Sequence, residues 1–121
     1  MRRLEFASLQ VSDLEVSKDF YTTILGFEAI ETGNPDAVVF KYNKGEASFA
    51  IRKPIGDIEG KALGIGTSLW FAIEETIENL KAELEQKSVR ILGAINQTPF
   101  GKTLLVTDPD GYVLTFVQPN N

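Results

Sequence analysis

The sequence predicts an α+β fold built from two βαβββ modules. Two observations carry this reading. Segments of alternating apolar residues flank segments whose apolar residues recur at a helical spacing, and the order strand, helix, strand, strand, strand occurs twice. A shift of 62 residues lays Phe6 on Ser68, Val11 on Ile73, Asp13 on Glu75 and Gly26 on Ser88. Identity between the halves is low, but element order and apolar facing agree, as expected of an internal duplication. Module one spans about 1–54, a linker about 55–66, and module two about 67–121, all within a single domain, 1–121.

In order along the chain, residues 4–11 read as a strand with Ala7, Leu9 and Val11 on one face and Phe6, Ser8 and Gln10 on the other. Ser12-Asp13-Leu14-Glu15 has the pattern of a capping box, with Ser12 as N-cap and Glu15 at N3. The following helix carries Leu14, Val16, Phe20, Tyr21, Ile24 and Leu25 and ends at Gly26. Strands are expected over 27–31, 37–42 and 47–53, the last two joined by a hairpin through Asn43-Lys44-Gly45. The glycine-rich linker follows. Module two then predicts a strand over 68–73, a helix over 76–87 and strands over 89–92, 102–107 and 112–118. Asp108-Pro109-Asp110-Gly111 forms the last turn, with proline presetting one φ and glycine supplying a positive one.

Composition narrows the chemistry. The 121 residues contain no cysteine and no histidine, which excludes disulfides, thiolate metal sites, a cysteine nucleophile and a histidine general base. Ser8, Ser48 and Ser68 therefore lack the base a serine triad needs. Gly60-Lys61 is not a P-loop, because Ala62 stands where Ser or Thr is required. The net charge of −5 and the lack of a basic stripe argue against nucleic acid and are compatible with a cationic ligand. No apolar run approaches the roughly 18 residues of a membrane span, and the N-terminus lacks a signal-peptide h-region, so a cytoplasmic location is expected.

Val11-Ser12-Asp13-Leu14-Glu15-Val16-Ser17-Lys18-Asp19-Phe20-Tyr21, followed by Leu25-Gly26-Phe27-Glu28, resembles the first strand and helix of the vicinal oxygen chelate superfamily, which includes glyoxalases, bleomycin-resistance proteins and dioxygenases. Asp108-Pro109-Asp110-Gly111 before Val113-Leu114 resembles its last hairpin, so the likeness spans nearly the whole chain. The resemblance implies a cupped mixed sheet with a helix packed behind each half. It also implies up to four metal ligands, mostly His and Glu, on the first and last strands of each half. Matched to this chain, those positions fall on Phe6, Phe49, Ser68 and Thr115. None is a strong ligand for a divalent metal, so no metal, no cofactor and no catalytic residue is expected.

What remains is a candidate ligand-binding surface: Phe6, Ser8, Gln10, Phe49, Ile51, Ser68, Trp70, Val113 and Thr115, with Val117 on the same side. Trp70 could stack on a flat or cationic group, although Phe6, Phe49 and Trp70 could equally fill the cup and leave no pocket. In character the chain resembles metal-free bleomycin-resistance members, which implies a homodimer that sequesters a small cationic or aromatic molecule. A dimeric, non-catalytic interaction or regulatory scaffold is the alternative, and a lyase or dioxygenase-like enzyme of the same fold is the third reading.

Overall fold

The computed structural model describes residues 1–120, which divide into two compact units, the first covering Met1–Lys61 and the second beginning at Ala62. Each unit contains one four-stranded mixed sheet and one α-helix, as the repeated pattern predicts.

In the first unit, β1 (Phe6–Gln10), β2 (Ala29–Ile30), β3 (Ala37–Phe40) and β4 (Ser48–Arg52) form a sheet of order β1-β4-β3-β2. β1 runs parallel to β4, and the other pairs are antiparallel. Helix α1 (Leu14–Asp19) starts one residue later than the capping-box reading expects. Asp13 is the N-cap, its Oδ1 accepting from the Val16 N–H at 3.2 Å. An aspartate caps as well as a serine and adds a full negative charge at the positive end of the helix. The helix continues as a π-helical turn, Phe20–Ile24, in which the Leu25 N–H donates to the Phe20 carbonyl five residues back at 2.9 Å. Gly26 terminates it at φ 83°.

The helix-facing side of this sheet is aromatic. Tyr21 packs on Phe40 and Phe49 with ring centroids 5.6 Å and 5.8 Å apart, Phe40 stacks on Phe49 at 4.5 Å, and Phe27 closes the group edge-on to Phe49 at 4.9 Å. Leu9, Val11 and Ile51 complete the buried side. Offset and edge-to-face pairs of this kind contribute beyond their area burial.

In the second unit, β5 (Leu69–Ala72), β6 (Ile91–Thr98), β7 (Gly101–Thr107) and β8 (Val113–Pro119) form a sheet of order β5-β8-β7-β6, with β5 parallel to β8. Helix α2 (Ile77–Gln86) is capped by Thr76, whose Oγ1 accepts from the Asn79 N–H at 3.2 Å. Gln118 Oε1 takes a second orphan donor, the Ile77 N–H, at 2.9 Å and so ties the helix start to β8. Ile77, Leu80 and Leu84 bury against the side of the sheet that holds Leu104, Val106, Leu114 and Phe116, a mainly aliphatic core that includes the Phe71–Phe116 ring pair. β6 is twice the expected length because Gly93, which reads as a breaker, instead takes φ 78° in a bulge between Leu92 and Asn96, and the ladder resumes beyond it. Gly101 at φ 140° lies opposite Pro119, where an added Cβ would run into the Gln118 carbonyl. The final turn is held by Asp108, whose carboxylate accepts from the Asp110 and Tyr112 N–H groups, both at 2.9 Å.

Candidate functional site

Residues that pair across a ladder point to the same side of the sheet, so register decides which expected residues share a face. In the first unit Phe6, Ser8 and Gln10 pair with Ser48, Ala50 and Arg52. Together with Ala37 and Val39, opposite Arg52 and Ala50 on β3, they form the face turned away from α1. Phe6 is 56% exposed and Ser8 is exposed, while Gln10 and Arg52 are half-buried. Gln10 is partly engaged within the unit, since its Oε1 accepts from the Ile55 N–H at 2.8 Å and braces the start of the linker.

Phe49 and Ile51 do not join this face. Phe49 pairs with Ala7 and Ile51 with Leu9, which places both on the helix side, where Phe49 belongs to the ring cluster and Ile51 is fully buried. The expectation that they line the same surface as Phe6 is corrected by one residue. The parity of β4 depends on the length of the β3–β4 connection, which is not legible in the sequence. The position that matches Thr115 is then Ala50: Ala50 pairs with Ser8, and Thr115 pairs with Trp70, the residue 62 positions after Ser8.

In the second unit the expected residues do share a face. Trp70 and Ala72 pair with Thr115 and Val117, and Ser68 and Val113 continue the same parity. Thr103 and Leu105 of β7 lie beside Val117 and Thr115 on this side. Thr115 and Thr103 are buried, whereas Trp70 is 44% exposed. The indole Nε1–H of Trp70 donates to Ser68 Oγ at 3.1 Å, which sets the ring's orientation and leaves Ser68 serving Trp70. A partner that sequence reading missed stands against the ring. Phe100, in the β6–β7 turn and 69% exposed, packs edge-on to Trp70 with centroids 5.7 Å apart. Its only signal was a large aromatic in a Pro99-Phe100-Gly101 turn, a place where hydrophobic burial does not explain it.

The residues present do not fit the metal that the resemblance brings to mind. Phe6 and Ala50 have no donor atom, and Ser68 and Thr115 offer neutral hydroxyls. Among the described residues no three His, Cys, Asp or Glu side chains converge. A groove of about 360 Å³ lies elsewhere, beside α1 and the β2–β3 connection, lined by Glu15, Lys18, Glu31 and Asn34 among others, and it contains none of the expected site residues. Among the described residues no helix is long and apolar enough to cross a membrane.

The sequence profile of the Glyoxalase/Bleomycin resistance protein/Dioxygenase superfamily matches residues 3–116. A comparison with curated proteins finds none that matches. Similar solved structures include TnmS3, an antibiotic binding protein from Streptomyces sp. CB03234, 23% identical over 99% of this chain and 98% of that one, with a TM-score of 0.77. A superfamily member from Sphaerobacter thermophilus DSM 20745 is 24% identical over 98% of both chains, at TM-score 0.76. A lactoylglutathione lyase from Agrobacterium tumefaciens is 17% identical over 96% of this chain and 92% of that one, at TM-score 0.73. At these identities the likeness establishes the fold, which a binding protein and an enzyme evidently share.

Proposed function

This chain belongs to the Glyoxalase/Bleomycin resistance protein/Dioxygenase superfamily, and on that premise we propose that it is a metal-independent small-molecule binding protein that captures an aromatic ligand, in the manner of antibiotic sequestration. The observation that carries the proposal is the exposed pair Trp70 and Phe100 on the helix-free face of the second sheet. Two large rings left in water at an edge-on angle present a ready wall for a third ring. The indole N–H is already satisfied by Ser68, so burying the pair strands no donor. The floor beneath, Thr115 and Val117, is neutral. Without metal ligands the face lacks the Lewis acid that its catalytic relatives' chemistry would need, and stacking with apolar burial is what its residues can supply. The antibiotic-binding character of TnmS3 supports the same direction. The working form we propose is a cytoplasmic homodimer, which light scattering on the purified protein checks.

The test is thermal unfolding of EDTA-treated protein with bleomycin and with planar aromatic antibiotics, alongside quenching of Trp70, the sole tryptophan. A ligand that binds the native state stabilises it by about 2.7 kcal/mol at a hundredfold excess over its dissociation constant. Trp70→Ala should weaken binding by about tenfold or more. Stabilisation that requires added divalent metal, or none with any compound, would overturn the reading.

A further inference from the structure

The strands of the two sheets contain two charged side chains, Lys102 and Arg52. Lys102 lies on the helix side of its sheet, and its Nζ is 3.1 Å from Glu78 Oε2. Arg52 is different in both respects. Its pairing with Gln10 and Ala37 puts it on the helix-free face of the first sheet, and among the described residues it has no ion pair. The neighbouring carboxylate, Asp36, is 3.3 Å from Lys53 Nζ, and Lys53 has the opposite parity along the strand. The Arg52 Nε–H donates to the Lys53 carbonyl at 3.1 Å. This bond fixes one edge of the guanidinium, and the terminal nitrogens make no hydrogen bond or ion pair among the described residues.

From these features, and resting on the reading above that the chain binds small molecules, we infer that the helix-free face of the first sheet is itself a ligand-binding surface, that Arg52 is its anion-recognition element, and that the ligand of this face carries a carboxylate or a similar oxyanion. A half-buried cation with an oriented, unpaired fork is partly desolvated, and an oxyanion accepting two of its donors would offset that cost. The rest of the face describes the remainder of the ligand. Ser8, two residues along β1 from Gln10, presents a hydroxyl that makes no hydrogen bond among the described residues. Phe6 lies four residues along the sheet from the Arg52 row and is 56% exposed. Four residues of strand cover about 13 Å, a span that a two-ring molecule bridges with help from both long side chains. The chain's overall charge of −5 predicts a preference for cations, and this face predicts the reverse, because local contact geometry outweighs a screened distant field at salt-bridge range.

The matched series 4-biphenylacetate, 4-biphenylacetamide and 4-biphenylmethylammonium separates charge from shape. Binding is read by ¹H–¹⁵N NMR titration at moderate ionic strength, following the Arg52 Nε–H signal, on wild type, Arg52→Gln and Arg52→Lys. The acetate should bind wild type about tenfold tighter than the amide and shift the Nε–H signal. Arg52→Gln should erase that preference without changing amide affinity, and Arg52→Lys, which keeps charge but not the fork, should retain only part of it. Spectral dispersion of the variants confirms their fold. Equal binding of acetate and amide, preference for the ammonium compound, or a preference that survives Arg52→Gln each overturns the anion assignment and leaves small-molecule binding intact. If none of the three binds wild type, the anion assignment falls, while the small-molecule reading is decided separately by the antibiotic test at Trp70.

Discussion

The two modules share a topology and divide their side chains in opposite ways. Module one packs Tyr21, Phe27, Phe40 and Phe49 against one another behind the sheet and leaves Ser8, Gln10 and Arg52, with the ring of Phe6, on the helix-free face. Module two builds its core mainly from Leu80, Leu84, Leu104, Val106 and Leu114 and puts Trp70 and Phe100 outside. The βαβββ frame therefore fixes where a face is and leaves its chemistry free. In this chain one face sets polar and cationic groups beside a single ring, Phe6, and the other pairs two rings, Trp70 and Phe100, over a neutral floor.

The sharpest way to test that contrast is to remove rings from the two sides. Phe40→Ala deletes a fully buried ring that touches three others, and it should cost about 3–5 kcal/mol in urea unfolding. Trp70→Ala deletes a larger ring from an exposed position and should cost about 1 kcal/mol or less. Similar losses from both would mean that Trp70 is a core residue, and the binding reading would lose its support.

This division was only half legible in the sequence. Phe6, Ser8, Ser68, Trp70, Val113 and Thr115 could be placed because β1, β5 and β8 alternate or follow a recognisable turn. Phe49 and Ile51, expected on the same surface, lie on the helix side instead. The segment Ser48-Phe49-Ala50-Ile51 is apolar at both parities once the small Ala50 is counted, so periodicity does not choose a face, and only the ladder with β1 does. The β6 extension was hidden because a glycine that ends one strand and a glycine that bulges within another look alike. Phe100 was out of reach for a related reason: its contact with Trp70 is made across a turn whose geometry no local pattern encodes.

A smaller difference lies at the helix ends. Gly26 and Ser88 occupy matching positions 62 residues apart, and both adopt a left-handed backbone, at φ 83° and 59°. The position demands that conformation in each module, yet only one module has the residue that adopts it without strain. Ser88→Gly should therefore stabilise the protein by about 0.5–1 kcal/mol, and Gly26→Ala should destabilise it by about 1 kcal/mol. Nothing lies within 4 Å of the added Cβ at Gly26, so the second effect isolates backbone strain from collision. If Ser88→Gly loses stability in thermal unfolding, the serine side chain contributes something that its backbone position does not reveal.

The smallest expected effect is electrostatic and belongs to module two alone. Glu78, in the first turn of α2, has its carboxyl held below its ordinary value of 4.5, first by a backbone hydrogen bond at the helix start and then by the Lys102 ammonium. Its counterpart in module one, 62 residues earlier, is the uncharged Val16. A carboxyl whose folded pKa is depressed adds stability above its unfolded pKa, and that contribution disappears as pH falls through the folded value. Comparing wild type with Glu78→Gln should therefore show a constant small gap in unfolding midpoint from neutral pH down to about 5. The gap should close in more acidic solution and shrink at every pH as salt is added, because both partners are solvent-exposed. A gap that persists after Glu78 is protonated would mean that the carboxylate's charge is not what ties α2 to β7.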